Sequence, residues 1–184
     1  MREFSSTSAL GKSVPVPDPD RLTHIQFRRF AGCPICHLHL RSFVRRHDEV
    51  VAAGIHEVVV FHTSAEELLK HTADLPFTVI GDPHKKLYRQ FGVEAGARAL
   101  LNPRAWWPMV HGIAVSAGKL LRRRGAVPSL NPEGGRYGLP ADFLIDQTGT
   151  IVACYYGTHS SDQWSVDELL GFAGSVARRP STAE

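Results

Sequence analysis

Residues 22–36 decide the fold of this chain, because a strand-like run leads into two closely spaced thiols: Leu22-Thr-His-Ile25-Gln-Phe27, and then Cys33-Pro34-Ile35-Cys36. The first segment alternates apolar and polar residues, as a half-buried strand does. The second opens a helix-like run, and Pro34 suits a first turn because its missing N–H costs nothing there. A helix N-terminus favours the thiolate, which is the reactive form of cysteine. This placement predicts a redox pair.

The spacing of the two thiols supports that prediction. A dithiol at positions i and i+3 of a helix start can close into a disulfide with little backbone movement. In this interpretation Cys33 is the nucleophile at the exposed end, and Cys36 lies one turn further and attacks a mixed disulfide formed on Cys33. Arg28 and Arg29 precede the motif. We expect them either on the surface of the strand or close enough to add positive potential near the thiols.

Three other uses of the motif stay open. Cys33-x-x-Cys36-His37 spells the c-type haem attachment motif, with Met109 available as a distal ligand, but haem attachment normally demands export and the sequence shows no signal. Cys33, Cys36, His37 and His39 offer four zinc ligands, although histidines at i and i+2 of a helix point to different sides. The last use is a redox-inert pair in an interaction domain that binds through its basic insertion.

The composition indicates one globular domain. The 184 residues are 43% apolar and 21% charged, and a formal charge of +3 is too small an excess to indicate a nucleic-acid partner.

Three cysteines do not make a secreted disulfide scaffold. Cys154 lies in the apolar run 151–156, so we expect a buried strand thiol. With neither a signal peptide nor a run of membrane-spanning length, we expect a cytoplasmic protein without a membrane partner.

The predicted elements run β-α-β-α-β-α, then an insertion, then β-β-α. Residues 1–20 are interpreted as a flexible arm with unpaired backbone, residues 21–179 as a single domain, and residues 180–184 as a tail. The helical insertion covers about residues 95–135, before the C-terminal β-hairpin. Strands that alternate with helices predict an α/β fold, with a mixed central sheet flanked by helices on both faces.

Local signals give the expected helix ends. One helix is predicted from Pro34 to Ala53. Asp82-Pro83 supplies an N-cap and a first-turn proline for a helix that ends at Gly92. Ser165 with Glu168 forms a capping box for the last helix.

The order of these motifs resembles a known family. A strand, a CxxC at a helix start, a βαβ unit, a proline that enters a hairpin and a last helix together look like a thioredoxin-like fold. Phe30-Ala-Gly-Cys33-Pro-Ile-Cys36 and Gly138-Leu-Pro140-Ala-Asp-Phe-Leu-Ile-Asp146 are similar to the AhpC/TSA group, and closest to its CxxC-containing peroxiredoxin-like branch. The resemblance covers about residues 22–178.

The resemblance implies a thiol-dependent antioxidant enzyme. Its activity would be peroxide reduction through a Cys33/Cys36 dithiol–disulfide cycle, with a thioredoxin- or glutathione-like reductant and neither cofactor nor metal. The alternative activity is thiol–disulfide exchange on protein or small-molecule disulfides. Pro140 is implied as a substrate-binding residue, matching the family's cis-proline that lies against the dithiol. Homodimer formation is left open.

One departure from the family concerns the nucleophile. Typical peroxiredoxins carry Pro-x-x-x-Thr-x-x-Cys. Counted back from Cys36, this pattern puts Cys33 at the threonine and Arg29 at the proline. Counted back from Cys33, it gives Phe30 and Gln26, so neither register fits. Alignment with the family points to Cys36 as the nucleophile, whereas helix-end electrostatics points to Cys33.

Overall fold

A computed structural model describes residues 4–8, 11, 13–30, 34–72, 74–93 and 138–178. The strands of these residues are β1 (Phe4–Thr7), β2 (Ser13–Val16), β3 (Leu22–Arg28), β4 (Ile55–Phe61), β5 (Thr78–Gly81), β6 (Ala141–Ile145) and β7 (Ile151–Tyr156). Their helices are α1 (Pro34–Arg45), α2 (His47–Ala52), α3 (Ala65–Thr72), α4 (Lys86–Gln90) and α5 (Val166–Ala177). The predicted insertion at about residues 95–135 lies outside the described residues.

The main sheet is mixed, as predicted. It has five strands in the order β5-β4-β3-β6-β7. β4 pairs in parallel with β3 and β5, whereas β6 pairs antiparallel with β3 and β7. Parallel neighbours follow from the helical crossovers between β3, β4 and β5, and the β6–β7 pair is the predicted hairpin.

Helices cover both faces of this sheet. α4 packs on one face through Tyr88 and the adjoining Phe91. α1, α3 and α5 pack on the other face through Leu40, Leu68 and Leu169, each no more than 2% exposed. The α/β fold class predicted from the sequence is therefore confirmed.

The predicted N-terminal arm contains paired backbone. β1 and β2 form an antiparallel pair in which Ser5 lies opposite Pro15. Val14 and Val16 are buried in the core on the α4 side of the sheet, while Pro15 between them is exposed. The expectation of unpaired backbone is wrong here, because proline is tolerated on an edge strand when its neighbours can bury apolar side chains. The division of the chain into arm, domain and tail stays a prediction.

Two helix ends differ from expectation. The helix predicted from Pro34 to Ala53 is broken at Arg46, whose φ of −115° and ψ of 23° leave the helical region. The break separates α2, which buries Val50 completely. The helix α4, which the sequence predicts to begin at Pro83, begins at Lys86.

The capping box was predicted correctly, whereas the N-cap of α4 is Lys85 and not Asp82. Although α4 begins late, the Asp82 carboxylate accepts hydrogen bonds from the backbone N–H groups of Lys86 at 2.8 Å and Leu87 at 2.7 Å. The capping box of Ser165 and Glu168 is present at the start of α5. Both devices satisfy N–H groups that a helix start leaves without partners.

Gly157 fixes the segment that enters β6. Its N–H donates to the Pro140 carbonyl at 2.9 Å. A Cβ on Gly157 would lie 2.2 Å from the Asp162 carbonyl oxygen and 2.8 Å from Cγ of Pro140. The close approach of three backbone segments therefore requires a residue without a side chain.

We predict that Gly157→Ala lowers the free energy of unfolding by about 1–3 kcal/mol, because the new methyl group overpacks against backbone that cannot move aside. Gly171→Ala is the matched control, since nothing lies within 4 Å of its Cβ position in α5. It should raise stability by about 0.5–1 kcal/mol through helix propensity. Urea unfolding of both variants measures the difference, and equal stabilities would contradict the packing argument.

Candidate active site

The site lies at one edge of the sheet. The parallel strands β3 and β4 end at this edge, and α1 begins there at Pro34. β6 runs antiparallel to β3 and pairs Ala141 with Phe27, so it enters from the same edge. Cys36 and Pro140 are thus brought to the same edge of the fold. Cys33 lies outside the described residues, so the predicted Cys33–Cys36 pairing stays a prediction.

Cys36 occupies the first turn of α1 and is 3% exposed. It lines a cleft between α1 and α3, together with Phe61, His71 and Thr72. The cleft encloses about 10 Å³, which is close to the least volume that holds one water molecule. Cys36 therefore borders a narrow, partly polar space and is shielded from open solvent.

Tyr88 is a second buried polar group at this edge. Its hydroxyl donates to the backbone carbonyls of Arg28 and, at 3.0 Å, Val60. Its ring stacks on His62 with 5.8 Å between ring centroids. Burial raises the pKa of Tyr88 well above its usual value, and the nearby Cys36 adds to the shift. Tyr88 was not among the predicted site residues, because a tyrosine on the apolar face of a helix gives no functional signal in the sequence.

The segment before β6 shows where Pro140 lies. Pro140 is buried, and its carbonyl is bound by Gly157. Just before it, a Cβ on Gly138 would lie 3.5 Å from Cγ of Arg29 and 3.6 Å from Cε1 of His62. This segment therefore packs across the ends of β3 and β4.

The family's cis-proline is not reproduced at Pro140. Among the described residues, the cis peptide bond joins Val16 to Pro17, and the bond that precedes Pro140 is not cis. The expectation of a cis bond was wrong, in line with the strong general preference of X–Pro bonds for trans. A substrate-binding role of Pro140 stays a prediction.

The two arginines before the motif are inside the protein. Arg28 is 1% exposed and Arg29 is 4% exposed, so the expectation of surface arginines is wrong. Arg29 follows β3, and its guanidinium lies 5.8 Å from the centroid of the Phe30 ring. It is therefore a cation at the edge where α1 begins.

β3 was expected to be half-buried, yet all of its residues are buried. The side chains of His24, Gln26 and Arg28, on alternate positions of β3, point to the face covered by α1 and α5. We call the buried polar network the set of His24, Gln26, Arg28, Glu57 and Asp142, each no more than 3% exposed. The expectation failed because these side chains find partners on β4 and β6 instead of water.

Short contacts link the side chains of the network to one another. Arg28 donates from Nη2 to Asp142 at 2.7 Å and to Gln26 at 2.5 Å. Gln26 donates to Glu57 at 2.9 Å, and His24 contacts Glu57 through Nδ1. Nε2 of His24 lies 3.3 Å from Asp142, which closes the ring of contacts across the three central strands.

These contacts set the charge of the network. Burial alone would lower the pKa of His24, but Glu57 and Asp142 outweigh it and raise that pKa to about 9. Burial alone would raise the pKa of Asp142, but Arg28 and His24 hold it below its usual value. At neutral pH His24 is therefore a buried imidazolium beside the Asp142 carboxylate.

The network reaches α1 through His39. Nη2 of Arg28 lies 3.4 Å from Nε2 of His39. Burial and the neighbouring Arg28 cation lower the pKa of His39 to about 3, so its imidazole is neutral. His37 lies on another side of the helix, where it lines the cleft of Cys36. Among the described residues, no group of three or more His, Cys, Asp or Glu side chains is arranged to hold a metal ion.

Cys154 is not the buried thiol that its apolar run suggested. It is exposed on β7, the edge strand of the main sheet. Four of the six β7 residues are exposed, because no strand covers the outer edge of β7 within the described residues. An apolar run on an edge strand therefore gave a misleading burial signal.

A family comparison agrees with this geometry. The model described as AhpC/TSA antioxidant enzyme matches residues 39–159, which is more than half of the chain.

The chain belongs to the AhpC/TSA antioxidant enzyme family.

The resemblance drawn from the sequence motifs is thus confirmed, and with it the assignment to the thiol oxidoreductase class of enzymes. The family match begins after Cys36, so neither motif cysteine lies within it. A search of curated proteins found no match. No helix among the described residues is long and apolar enough to cross a membrane.

Solved structures confirm the thioredoxin-like fold of this AhpC/TSA family member. Peroxidoxin BcpB from Mycobacterium tuberculosis is similar with a TM-score of 0.66, at 16% identity over 96% of this chain and 94% of that chain. The bacterioferritin comigratory protein of Xanthomonas campestris has a TM-score of 0.63, at 14% identity over 95% of this chain and 92% of that chain. A Chlorobium tepidum protein described as thiol:disulfide interchange protein DsbE has a TM-score of 0.57, at 19% identity over 96% of this chain and 93% of that chain.

We predict that the free energy of unfolding declines as pH rises from 6.5, the usual pKa of histidine, to about 9, the pKa of His24 in the folded protein. A raised pKa means that the protonated histidine stabilises the fold. Its contribution, about 3 kcal/mol, is complete below the lower value and is lost as pH passes the upper one. Urea unfolding across this range measures the effect. His24→Gln should flatten the decline, and an unchanged slope in this variant would assign the decline to another group.

We also predict that Arg28→Met lowers the free energy of unfolding by about 3–5 kcal/mol, because Asp142 is left buried without its cation. Arg46→Met is the matched control, since Arg46 pairs with Glu49 and Asp167 at the surface. Exposed ion pairs contribute little, so this variant should unfold close to the wild type. Similar losses in both variants would show that burial does not set the strength of the Arg28 pair.

Proposed function

We propose that this AhpC/TSA family member reduces peroxides through a Cys33/Cys36 dithiol–disulfide cycle. The observation that carries the proposal is the position of Cys36, buried in the first turn of α1 at the edge where β3 and β4 end. In the cycle, a thiolate attacks the peroxide O–O bond and becomes a sulfenic acid. The partner thiol condenses with it to a disulfide and releases water, and an external dithiol reduces the disulfide.

The burial of Cys36 supports its assignment as the resolving thiol. A nucleophile must meet a substrate that arrives from solvent, whereas a resolving thiol only has to reach its partner. Cys36 is 3% exposed and faces a cleft of about 10 Å³. We therefore assign Cys33 as the nucleophile, in agreement with the electrostatics of a helix N-terminus.

Several finer assignments follow the family. The Xanthomonas campestris protein is described by its alkyl peroxide reduction activity, and we propose alkyl peroxides among the substrates of this chain. Pro140, at the same edge as Cys36, is proposed to line the substrate groove. The reductant is proposed to be a thioredoxin- or glutathione-like dithiol system, the protein to act in the cytoplasm, and a homodimer to be its assembly.

A second candidate function is thiol–disulfide exchange without peroxide. It is favoured by the sequence, because the family's peroxide-pocket threonine and proline are missing: the register counted from Cys33 has Phe30 and Gln26 there, and the register counted from Cys36 has Cys33 and Arg29. The likeness to a thiol:disulfide interchange protein supports the same candidate at the level of the fold. Both functions use the same cysteine pair.

We expect Cys33→Ser to abolish peroxide consumption in a stopped-flow assay, because the attacking thiolate is removed. Cys36→Ser should still consume one equivalent of peroxide and then hold a sulfenic acid that dimedone traps. Cys154→Ser is the matched control and should keep the wild-type rate, since Cys154 lies on the far edge strand β7. Peroxide consumption no faster than that of free cysteine, together with retained insulin reduction, would favour disulfide exchange instead.

A further inference from the structure

The cleft beside Cys36 contains a histidine to which the cycle above gives no role. His71, near the end of α3, lines this cleft with Cys36. Its side chain is 12% exposed. A resolving thiol must lose its proton before it can attack, because the thiolate is the nucleophile. A base within reach of Cys36 would therefore serve the second half of the cycle.

Glu67 orients His71 for such a role. Oε1 of Glu67 lies 3.4 Å from Nε2 of His71, one helical turn away on α3. Oε2 of the same carboxylate accepts from Lys70 at 2.7 Å, which holds the carboxylate in place. A carboxylate beside Nε2 favours the proton on that nitrogen and leaves the Nδ1 lone pair as the acceptor. A thiol, an imidazole and an orienting carboxylate are the parts of an activated cysteine.

The other titratable groups near Cys36 fit the role less well. Tyr88 donates its hydroxyl to two backbone carbonyls, and its raised pKa keeps it protonated. His39 faces Arg28 and the sheet, away from the cleft. His37 lines the cleft from the helix of Cys36 itself. His71 approaches the cleft from α3, the helix opposite Cys36, and has the Glu67 carboxylate one turn earlier on α3.

We infer that His71, oriented by Glu67, accepts the proton of the Cys36 thiol when Cys36 closes the disulfide with Cys33. The inference rests on the proposed dithiol cycle. One water, for which the cleft has about the room, relays the proton from sulfur to Nδ1. The Cys36 thiolate then attacks the Cys33 sulfur, and the S–S bond forms as the S–O bond of the sulfenic acid breaks. The departing hydroxide takes the proton from His71 and leaves as water, so the histidine returns to its neutral state.

The test isolates disulfide closure from peroxide chemistry. In the Cys154→Ser background, dithiobisnitrobenzoate reacts first with Cys33 and releases one coloured thiolate. Cys36 then displaces the second coloured thiolate, in a phase whose rate does not depend on reagent concentration. His71→Gln should slow this second phase at neutral pH by about tenfold or more. The first phase should keep its rate, and alkaline buffer should restore the second because hydroxide replaces the base.

Two further variants make the result decisive. His84→Gln, an exposed histidine beyond the cleft, should leave both phases unchanged. Glu67→Gln keeps His71 in place and should slow the second phase less than His71→Gln does. Slowing in this variant tests the role of His71 even where His71→Gln itself fails to fold. Equal second-phase rates in His71→Gln and His84→Gln, or slowing by His37→Gln alone, would overturn the assignment of His71. If the Cys154→Ser protein shows no second phase at all, the dithiol cycle itself is rejected.

Discussion

The buried ion pair of Arg28 and Asp142 is the interaction on which the rest of the structure depends. Its 2.7 Å contact joins two neighbouring central strands, and neither side chain reaches solvent. Arg28 also approaches His39 on α1, and the other carboxylate oxygen of Asp142 accepts from the backbone N–H of Trp164, just before α5. One pair of charges thus connects the sheet to α1, the helix that carries Cys36, and to the segment that leads into α5.

Charges in such a position are costly unless they are well paired. Removing two ions from water takes several kcal/mol for each ion, and their attraction offsets this only when geometry and further hydrogen bonds are good. The structure meets that condition through Gln26, Glu57 and His24. The network also specifies strand register. A one-residue slip of β6 would turn Asp142 towards the opposite face, among the aromatic side chains around Phe143.

The sequence predicts the order of elements well and the polar interior poorly. The strand Ile55–Phe61 is predictable because its apolar run Val58–Phe61 does not alternate with polar residues, which indicates burial on both faces. In β3 the alternation of apolar and polar residues is the pattern of a solvated strand, and only the partners on β4 and β6 reverse it. Glu57 and Asp142 lie 31 and 114 positions from the β3 residues that they bind. Local patterns cannot show contacts at that distance.

Some residues of the candidate site are likewise predictable from local sequence patterns, and others are not. Cys36 and the edge that holds it follow from local signals, namely a strand, a CxxC and a first-turn proline. His71 and Tyr88 do not, because scattered histidines and a tyrosine on an apolar face are common in any globular protein. Their position near Cys36 arises when α3 and α4 pack on opposite faces of the same sheet.

The distance along the chain between Arg28 and Asp142 has a consequence for biosynthesis. Their contact closes a loop of 114 positions, and contacts between such distant residues form late because the chain must first lose much of its conformational freedom. A nascent chain that has emerged only through β5 already contains both cysteines of the CxxC motif, but it lacks the carboxylate that neutralises Arg28. The helix that carries Cys36 therefore gains its full support only after β6 has been synthesised, so the CxxC motif is made long before the structure around Cys36 is complete.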